Sequence, residues 1–388
     1  MPFPDPWSSH LAQRGLTEPT DVQTAVWAPF LAGAHLAVQS ATGTGKTLAY
    51  LLPLFTRLDP ARKELQALIL VPTQELAVQI LRQMDLLTAA QPPELRLRTV
   101  SLMGGVNLQR QLDQLKSKPH VAVGTPGRVL ELLEKKKITG HFMATVVLDE
   151  ADRLLDDSSI VALRAILKTT LKSRQLCLFS ASLPAATLAV ATSLLAPTTP
   201  AQELVVLTLD AETPIPPGIA HWSFETELQA KNDLLRQLLH ALKPGRALVF
   251  LNKPDQIELV ASKLRHHSVA AESLHGTRFK EDRQKAMKGF ASGEVTVLVA
   301  SDLAARGLDI GGVTHVFHFD IPENPLDYQH RCGRTGRLTA GSPTTGSKIA
   351  PGVSVSLATE YELGRLAEIA KKFGITIEAH RLQHGKVF

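Results

Sequence analysis

Thr145-Val146-Val147-Leu148-Asp149-Glu150-Ala151-Asp152 sets a β-branched apolar run directly against a cluster of carboxylates. A strand that ends in acids can fix one carboxylate near a phosphate-bound cation and leave the next to act on water. Reading outward, Lys46 lies 103 residues upstream, in Ala41-Thr42-Gly43-Thr44-Gly45-Lys46-Thr47. That segment fits G-x-x-x-x-G-K-[ST] except that Ser40 stands in the place of the first glycine. Such a loop turns backbone N–H groups onto phosphate oxygens at a helix N-terminus. Lys46 adds charge for the outer phosphates, and the Thr47 hydroxyl with Asp149 suits a Mg²⁺ ion. Glu150 is then placed to orient and deprotonate an attacking water. An ordinary turn has no use for Lys46 and Thr47, and a solvated acidic cluster has no use for the strand before it. Together they read as nucleotide hydrolysis.

The chain of 388 residues is long enough for two domains, each with its own core. With 44% hydrophobic and 20% charged residues it has the composition of a soluble globular protein. No signal peptide and no membrane-spanning apolar stretch is seen, so no membrane partner is expected. Cys177 and Cys332 form neither a disulfide framework nor a metal-ligand spacing, which favours a reducing compartment. No Arg/Ser-rich transit segment is seen either, and a cytoplasmic location is expected, with an organelle matrix as the alternative. A net charge of +5 leans towards a polyanionic partner.

Short apolar strands alternate with helical stretches in the first half: 36–38, 67–71, 121–123, 145–148 and 176–179, with helices over 75–89 and 128–136 between them. Fully apolar strands separated by helices imply an α/β fold with a parallel sheet covered on both faces. Functional loops then gather at the carboxyl ends of the strands. The pattern breaks at 209–218, where three prolines and a glycine read as a semi-rigid linker. It resumes with strands over 246–251, 295–300, 314–319 and 353–357. The expected division is a nucleotide-binding domain over 1–207, a linker over 208–219 and a second domain of the same plan over 220–388.

Here a resemblance becomes specific. Asp149-Glu150-Ala151-Asp152 looks like the signature of the DEAD-box ATP-dependent RNA helicases, and further segments match in that family's order. Residues 15–23, ending in Gln23, resemble the adenine-sensing Q motif. Pro72-Thr73-Gln74-Glu75-Leu76-Ala77, Gly104-Gly105 and Thr125-Pro126-Gly127-Arg128 resemble RNA-contacting motifs, and Ser180-Ala181-Ser182 resembles a coupling motif. Ala305-Arg306-Gly307-Leu308-Asp309 and His330-Arg331-Cys332-Gly333-Arg334-Thr335-Gly336-Arg337 complete the set. The match runs from about residue 3 to 357 and implies two tandem RecA-like domains.

The resemblance implies roles that the residue types can perform. The Gln23 amide can donate to and accept from an adenine edge, and Trp7 (or Phe3) is the upstream aromatic for stacking on the base, with a hydrophobic staple as the plainer reading. Residues 41–47 cradle ATP, with Mg²⁺ on Thr47 and Asp149. Arg334 and Arg337 suit charge developing on a transferring phosphoryl group. They belong to the half without a phosphate loop, so hydrolysis is expected only when the halves close. Gly307 and Asp309 are expected at the nucleotide, and Ser180, Ser182, Asp152 and His330 in the network coupling ATP to RNA. RNA contacts are expected to the backbone, without sequence reading, from Pro72, Thr73, Gly105, Thr125 and Arg128, and from Gly276, Ser301 and Arg306.

Several residues depart from the family pattern: Gln74 stands for an arginine, Ser182 and Ser301 for threonines, Lys280 for a glutamine. Cys332 reads as a small buried residue. The expected activity is RNA-stimulated ATP hydrolysis with local unwinding of short duplexes, by a monomer with protein or ribonucleoprotein partners conceivable. The alternative is an ATP-gated RNA clamp or annealing factor with weak strand separation. A DNA helicase is disfavoured by Gln23 and by the spelling of the acidic motif.

Overall fold

The computed structural model describes residues 3–41, 43–105, 107–156, 158–195, 203–209, 215, 218–274, 280–305, 312–336 and 352–388. The chain forms two compact units, Met1–Ala211 and Glu212–Phe388.

In the first unit the strands are β1 (His35–Gln39), β2 (Ala67–Leu70), β3 (Thr99–Leu102), β4 (Val121–Gly124), β5 (Thr145–Asp149), β6 (Gln175–Ser180) and β7 (Leu204–Thr208). They pair in the order β3-β4-β2-β5-β6-β1-β7, all parallel. Successive side chains of a strand point to opposite faces. Here Ala67 and Ile69 enter one core while Leu68 and Leu70 enter the other, and Val147 opposes Val146 and Leu148 in the same way. Both faces are therefore packed, which is why these strands read as unbroken apolar runs.

The second unit repeats the plan. Its strands are β8 (Ile219–Glu225), β9 (Ala247–Phe250), β10 (Ala271–Leu274), β11 (Val297–Ala300), β12 (His315–His318), β13 (Gly352–Ala358) and β14 (Glu378–His380). Their order, β10-β11-β9-β12-β13-β8-β14, is that of the first sheet with each strand number raised by seven. Again the faces divide, Leu248 and Phe250 on one side, Ala247 and Val249 on the other. A small antiparallel hairpin, β15 (Leu382–Gln383) with β16 (Lys386–Val387), follows β14. The two units are tandem RecA-like domains, each a parallel sheet with helices on both faces.

The proline-rich stretch is not uniformly exposed. Ile215 is buried and joins Ile219, Ile321, Tyr328 and Cys332 in a core cluster of the second unit. No helix among the described residues is long and apolar enough to cross a membrane.

Candidate nucleotide and RNA-facing edges

All strands of the first sheet run the same way, so the loops that leave their carboxyl ends share one edge. Strand order divides that edge in two. The loops after β1, β5 and β6 carry Ala41–Thr47, Asp149–Asp152 and Ser180–Ser182; those after β3, β4 and β2 carry Gly105, Thr125–Arg128 and Pro72–Thr73. The residues expected at the nucleotide thus occupy one half of the edge, and those expected at RNA the other.

The phosphate loop enters the helix Lys46–Arg57 through Gly45 at φ 91°. A Cβ there would overlap the Gln23 amide, so Gly45 meets both a backbone and a space requirement. Gln23, at the start of the helix Asp21–Leu31, is 7% exposed and bridges two segments. Its Nε2 donates to Gly45 O at 3.2 Å and its Oε1 accepts from Thr20 N–H at 3.0 Å. Thr20 Oγ1 donates to Thr44 O at 2.8 Å. A primary amide keeps one further N–H and one further lone pair, so the adenine-reading capacity of Gln23 survives these bonds. Ser40, in the missing glycine's place, pairs its hydroxyl with that of Thr44 at 2.7 Å and so braces the loop. Lys46 Nζ donates to the carbonyls of Ser40 and Ala41, each at 2.6 Å.

Asp149 ends β5 and is buried. Tyr50 OH donates to its Oδ2 at 2.9 Å, and the Glu150 N–H donates to its Oδ1 at 3.0 Å. Burial, and then the neighbouring Glu150 charge, push the Asp149 carboxyl up to about 6, against the pull of Lys46 and the Tyr50 hydrogen bond. The Tyr50 phenol is driven well above its ordinary range, first by burial and then by Asp149. A buried carboxylate short of positive charge, with the Thr47 hydroxyl on the Tyr50 helix, fits a hard, oxygen-seeking Mg²⁺ ion. Among the described residues no group of three His, Cys, Asp or Glu could hold a metal, so most ligands here must come from phosphate and water, as Mg²⁺ prefers.

Glu150 sits at φ 52°, ψ 52°, a left-handed conformation that costs a non-glycine residue roughly 1–2 kcal/mol. This turn connects β5 to the helix Ala151–Leu154. On that helix Asp152 Oδ2 accepts from Ser182 Oγ at 3.2 Å, and Ser182 N–H donates to Ser180 Oγ at 3.3 Å. Ser180 O in turn accepts from Ser40 N–H at 3.1 Å. The acidic motif, the end of β6 and the phosphate loop are thus joined.

On the other half of the edge, Thr73 caps the helix Gln74–Ala89 by accepting from Leu76 N–H at 3.3 Å. Thr125 and Pro126 open the helix Pro126–Glu134, and Arg128 Nε lies 2.9 Å from Glu131 Oε2. The Gln74 amide lies against Gly105.

One expectation is corrected. Trp7 is 3% exposed, packs in the first unit's core, and donates its indole N–H to Leu87 O at 3.0 Å. Its ring faces neighbours on the core side and is not presented to a base; Phe3 is buried in the same cluster. Position along the chain offers Trp7 or Phe3 as the stacking aromatic but cannot tell which way a ring points, and both pack as the plainer hydrophobic reading has them.

In the second unit the helix Pro325–Cys332 carries His330, and Arg334 follows in the turn, half-buried. The residue that organises this region, Arg331, received no role from the sequence. It is 1% exposed; its Nε and Nη2 donate to the two Asp302 carboxylate oxygens at 2.7 and 2.6 Å. Nη1 donates to Asp320 O and Nη2 to Asn252 Oδ1, both at 2.7 Å. Asp302 follows Ser301, whose Oγ accepts from Ala304 N–H at 3.3 Å. Arg331 therefore ties the Ser301 turn to the arginine helix. Cys332 is buried and its thiol is pushed up to about 12 by burial, which makes it chemically quiet. Thr42, Gly276, Arg306, Gly307, Asp309 and Arg337 lie outside the described residues.

The comparisons with known proteins agree with this arrangement. Residues 20–190 match the DEAD/DEAH box helicase family and 230–339 the helicase conserved C-terminal domain. The chain is 35% identical over 371 residues to the DEAD-box ATP-dependent RNA helicase CshC of Bacillus cereus, spanning 96% of this chain and 90% of that protein. It is 38% identical over 373 residues to the probable ATP-dependent RNA helicase YfmL of Bacillus subtilis, spanning 96% and 93%. Saccharomyces cerevisiae Dbp5 bound to RNA and ADP–BeF3 superposes with a TM-score of 0.83 at 26% identity, over 96% of this chain and 92% of that one. With the phosphate loop, the acidic motif and the arginine helix all in place, the chain belongs to the DEAD-box family of ATP-dependent RNA helicases, enzymes that hydrolyse ATP in response to RNA.

Proposed function

We propose that ATP hydrolysis by this protein is gated by closure of its two units around RNA, and that closure separates short duplexes locally. The observation that carries this reading is the divided edge of the first sheet. The nucleotide half ends at β5 and the RNA half begins at its neighbour β2, so the two ligands meet along one continuous row of strand ends.

In this reading Lys46 and the loop N–H groups hold the ATP phosphates, and the Gln23 amide reads adenine. Mg²⁺, held by Thr47 and Asp149, neutralises phosphate charge when bound. Glu150, at the left-handed turn that ends β5, accepts a proton from the attacking water. Arg334, with Arg337, approaches the γ-phosphate from the second unit on closure, where a guanidinium offsets the charge that develops in the transition state. Ser182 and Asp152 tie the acidic motif to the end of β6 and, through Ser180, to the phosphate loop, so that these three segments respond to the nucleotide together. Thr73, Thr125, Arg128 and Ser301 meet the RNA backbone, so affinity does not depend on sequence. The protein acts as a monomer.

An ATP-gated clamp with weak unwinding is favoured by one observation: Gln74, which stands for a family arginine, brings a neutral amide against Gly105 and leaves one charged RNA contact out. The two readings share the ATPase and differ in strand separation. ATPase rates with RNA, with single-stranded DNA and without polymer test the common core, and a fluorescent duplex tests unwinding. RNA-specific stimulation is expected. Equal stimulation by DNA contradicts the reading.

A further inference from the structure

The opposite, amino edge of the first sheet carries a charge pattern that the ATPase does not use. The loops entering β3, β4, β2, β5 and β6 are adjacent in strand order and together span roughly 19 Å of edge. In these loops (90–98, 116–120, 58–66, 135–144 and 170–174) stand eleven lysines and arginines against three carboxylates. The whole chain has a net charge of only +5, so this edge is basic while the remainder is acidic on balance.

Complementing helix dipoles explains a part of this. Helices Leu108–Leu115 and Pro126–Glu134 end here, and a cation at each end is favourable. Lys116 pairs with Asp113 at 2.7 Å and Lys135 with Glu131 at 2.6 Å, which meets that need. Beyond them Lys118, Lys136, Lys137 and Lys172 are exposed, with no carboxylate in ion-pair range among the described residues. Lys118 and Lys136 hold left-handed backbone, φ 52° and 54°, where glycine or asparagine is the cheaper residue.

The loops are also fixed to one another. Arg98 Nε donates to Lys118 O at 2.9 Å and its Nη2 to Arg62 O at 3.3 Å, while the His120 ring lies between them. In the loop entering β5, His141 and Phe142 are exposed, with ring centroids 4.1 Å apart, and follow Lys135–Lys137 in the same loop. Cations spread along the edge, with one exposed ring pair among them, suit a strand that carries phosphates and bases together; an acidic protein surface has no need of the rings.

We propose that this amino edge is a second RNA-binding surface, holding single-stranded RNA by its backbone along the lysines with a base against His141 and Phe142. It grips RNA beyond the stretch engaged at the carboxyl edge and so keeps a long substrate attached between catalytic cycles. The proposal rests on RNA being the partner, and the test separates the two ideas.

The full chain carrying Lys135→Gln, Lys136→Gln and Lys137→Gln together, and a separate Phe142→Ala variant, are compared with wild type for binding to a short RNA and to one several times longer. For long RNA the triple variant binds about 10-fold more weakly, and its log K against log salt slope falls by about 2, as expected for three lost phosphate contacts on a single strand. Phe142→Ala weakens long RNA as well, and short-RNA-stimulated ATPase is unchanged in both. Lys136→Gly keeps or raises the melting temperature yet weakens long RNA. Wild-type affinity and slope for long RNA in the triple variant overturn the proposal, as does an effect confined to binding of polyglutamate. A wild type that binds long RNA with the full slope but shows no RNA-stimulated ATPase fails the catalytic reading and leaves this one supported.

Discussion

Tyr50 donates its phenolic hydrogen to Asp149 at 2.9 Å, joining the helix behind the phosphate loop to the end of the central strand across 99 residues of sequence. The bond stabilises the ionised form of a carboxylate that burial disfavours. Tyr50→Phe removes it, and the Asp149 pKa rises further, by about one unit for a lost hydrogen bond to a charged group. The acid limb of the pH profile for Mg²⁺-dependent kcat/KM then moves upward by that amount. An unshifted limb contradicts the role of the bond.

Asp149 itself is held at about 6 against an ordinary value of 3.8. A carboxyl raised in the folded state contributes stability below pH 4 and loses it as pH rises through 6, because the unfolded chain releases its proton first. At pH 8 the ionised, buried group therefore costs on the order of 2–3 kcal/mol without a cation. Asp149→Asn should raise the melting temperature of the nucleotide-free protein at pH 8, leave it near wild type at pH 4, and abolish stabilisation by Mg²⁺–ATP. An equal gain at both pH values would show that ionisation is not the cause.

Gln23 holds Gly45 O and Thr20 N–H with one amide. Gln23→Ala cuts both ties, and each hydrogen bond contributes about 1 kcal/mol. ATP affinity should fall about 10-fold and the preference of ATP over GTP should shrink with it. Retained discrimination at reduced affinity would assign Gln23 to bracing the loop and not to reading the base.

Arg331 and Arg334 lie three residues apart and should fail differently. Arg331 is buried on Asp302, so Arg331→Ala strands a carboxylate and should destabilise the second unit by about 3–5 kcal/mol. Arg334→Ala should leave the melting temperature unchanged and lower kcat by about 10³-fold with ATP binding intact. Thermal melts beside steady-state kinetics separate the two; a destabilised Arg334→Ala of low affinity would remove it from the transition state.

The parts of this molecule legible in sequence are those whose chemistry is spelled locally. Lys46 and Thr47 after glycines, and Asp149-Glu150 after a β-branched run, could be read because each needs its neighbours in the chain. The inner strands of the first sheet, and β9, β11, β12 and β13 of the second, were legible because burial on both faces leaves little polar alternation; β8, also an inner strand, was not, because His221, Ser223 and Glu225 interrupt its apolar residues. The edge strands β3, β7, β10 and β14 were not legible: Ser101 and Glu272-Ser273 break the runs of β3 and β10, Val205 and Val206 of β7 are exposed, and Glu378–His380 carries mixed residues. Tyr50, Thr20 and Arg331 escaped notice because their partners lie 99, 24 and 29 residues away. Tyr50 did leave one signal, its position one helical turn after Lys46. Trp7 shows the converse: an aromatic in the right place along the chain, turned into the core.

The central claim is that ATP and RNA together close the two units and that closure licenses hydrolysis. The most direct measurement is energy transfer between one dye on each unit in the Glu150→Gln protein, which should bind both ligands and turn over at least 10²-fold more slowly. High transfer should appear with ATP and RNA together, not with either alone, and should be lost when Arg334→Ala is added. Closure with ATP alone, or transfer indifferent to both ligands, would contradict the account.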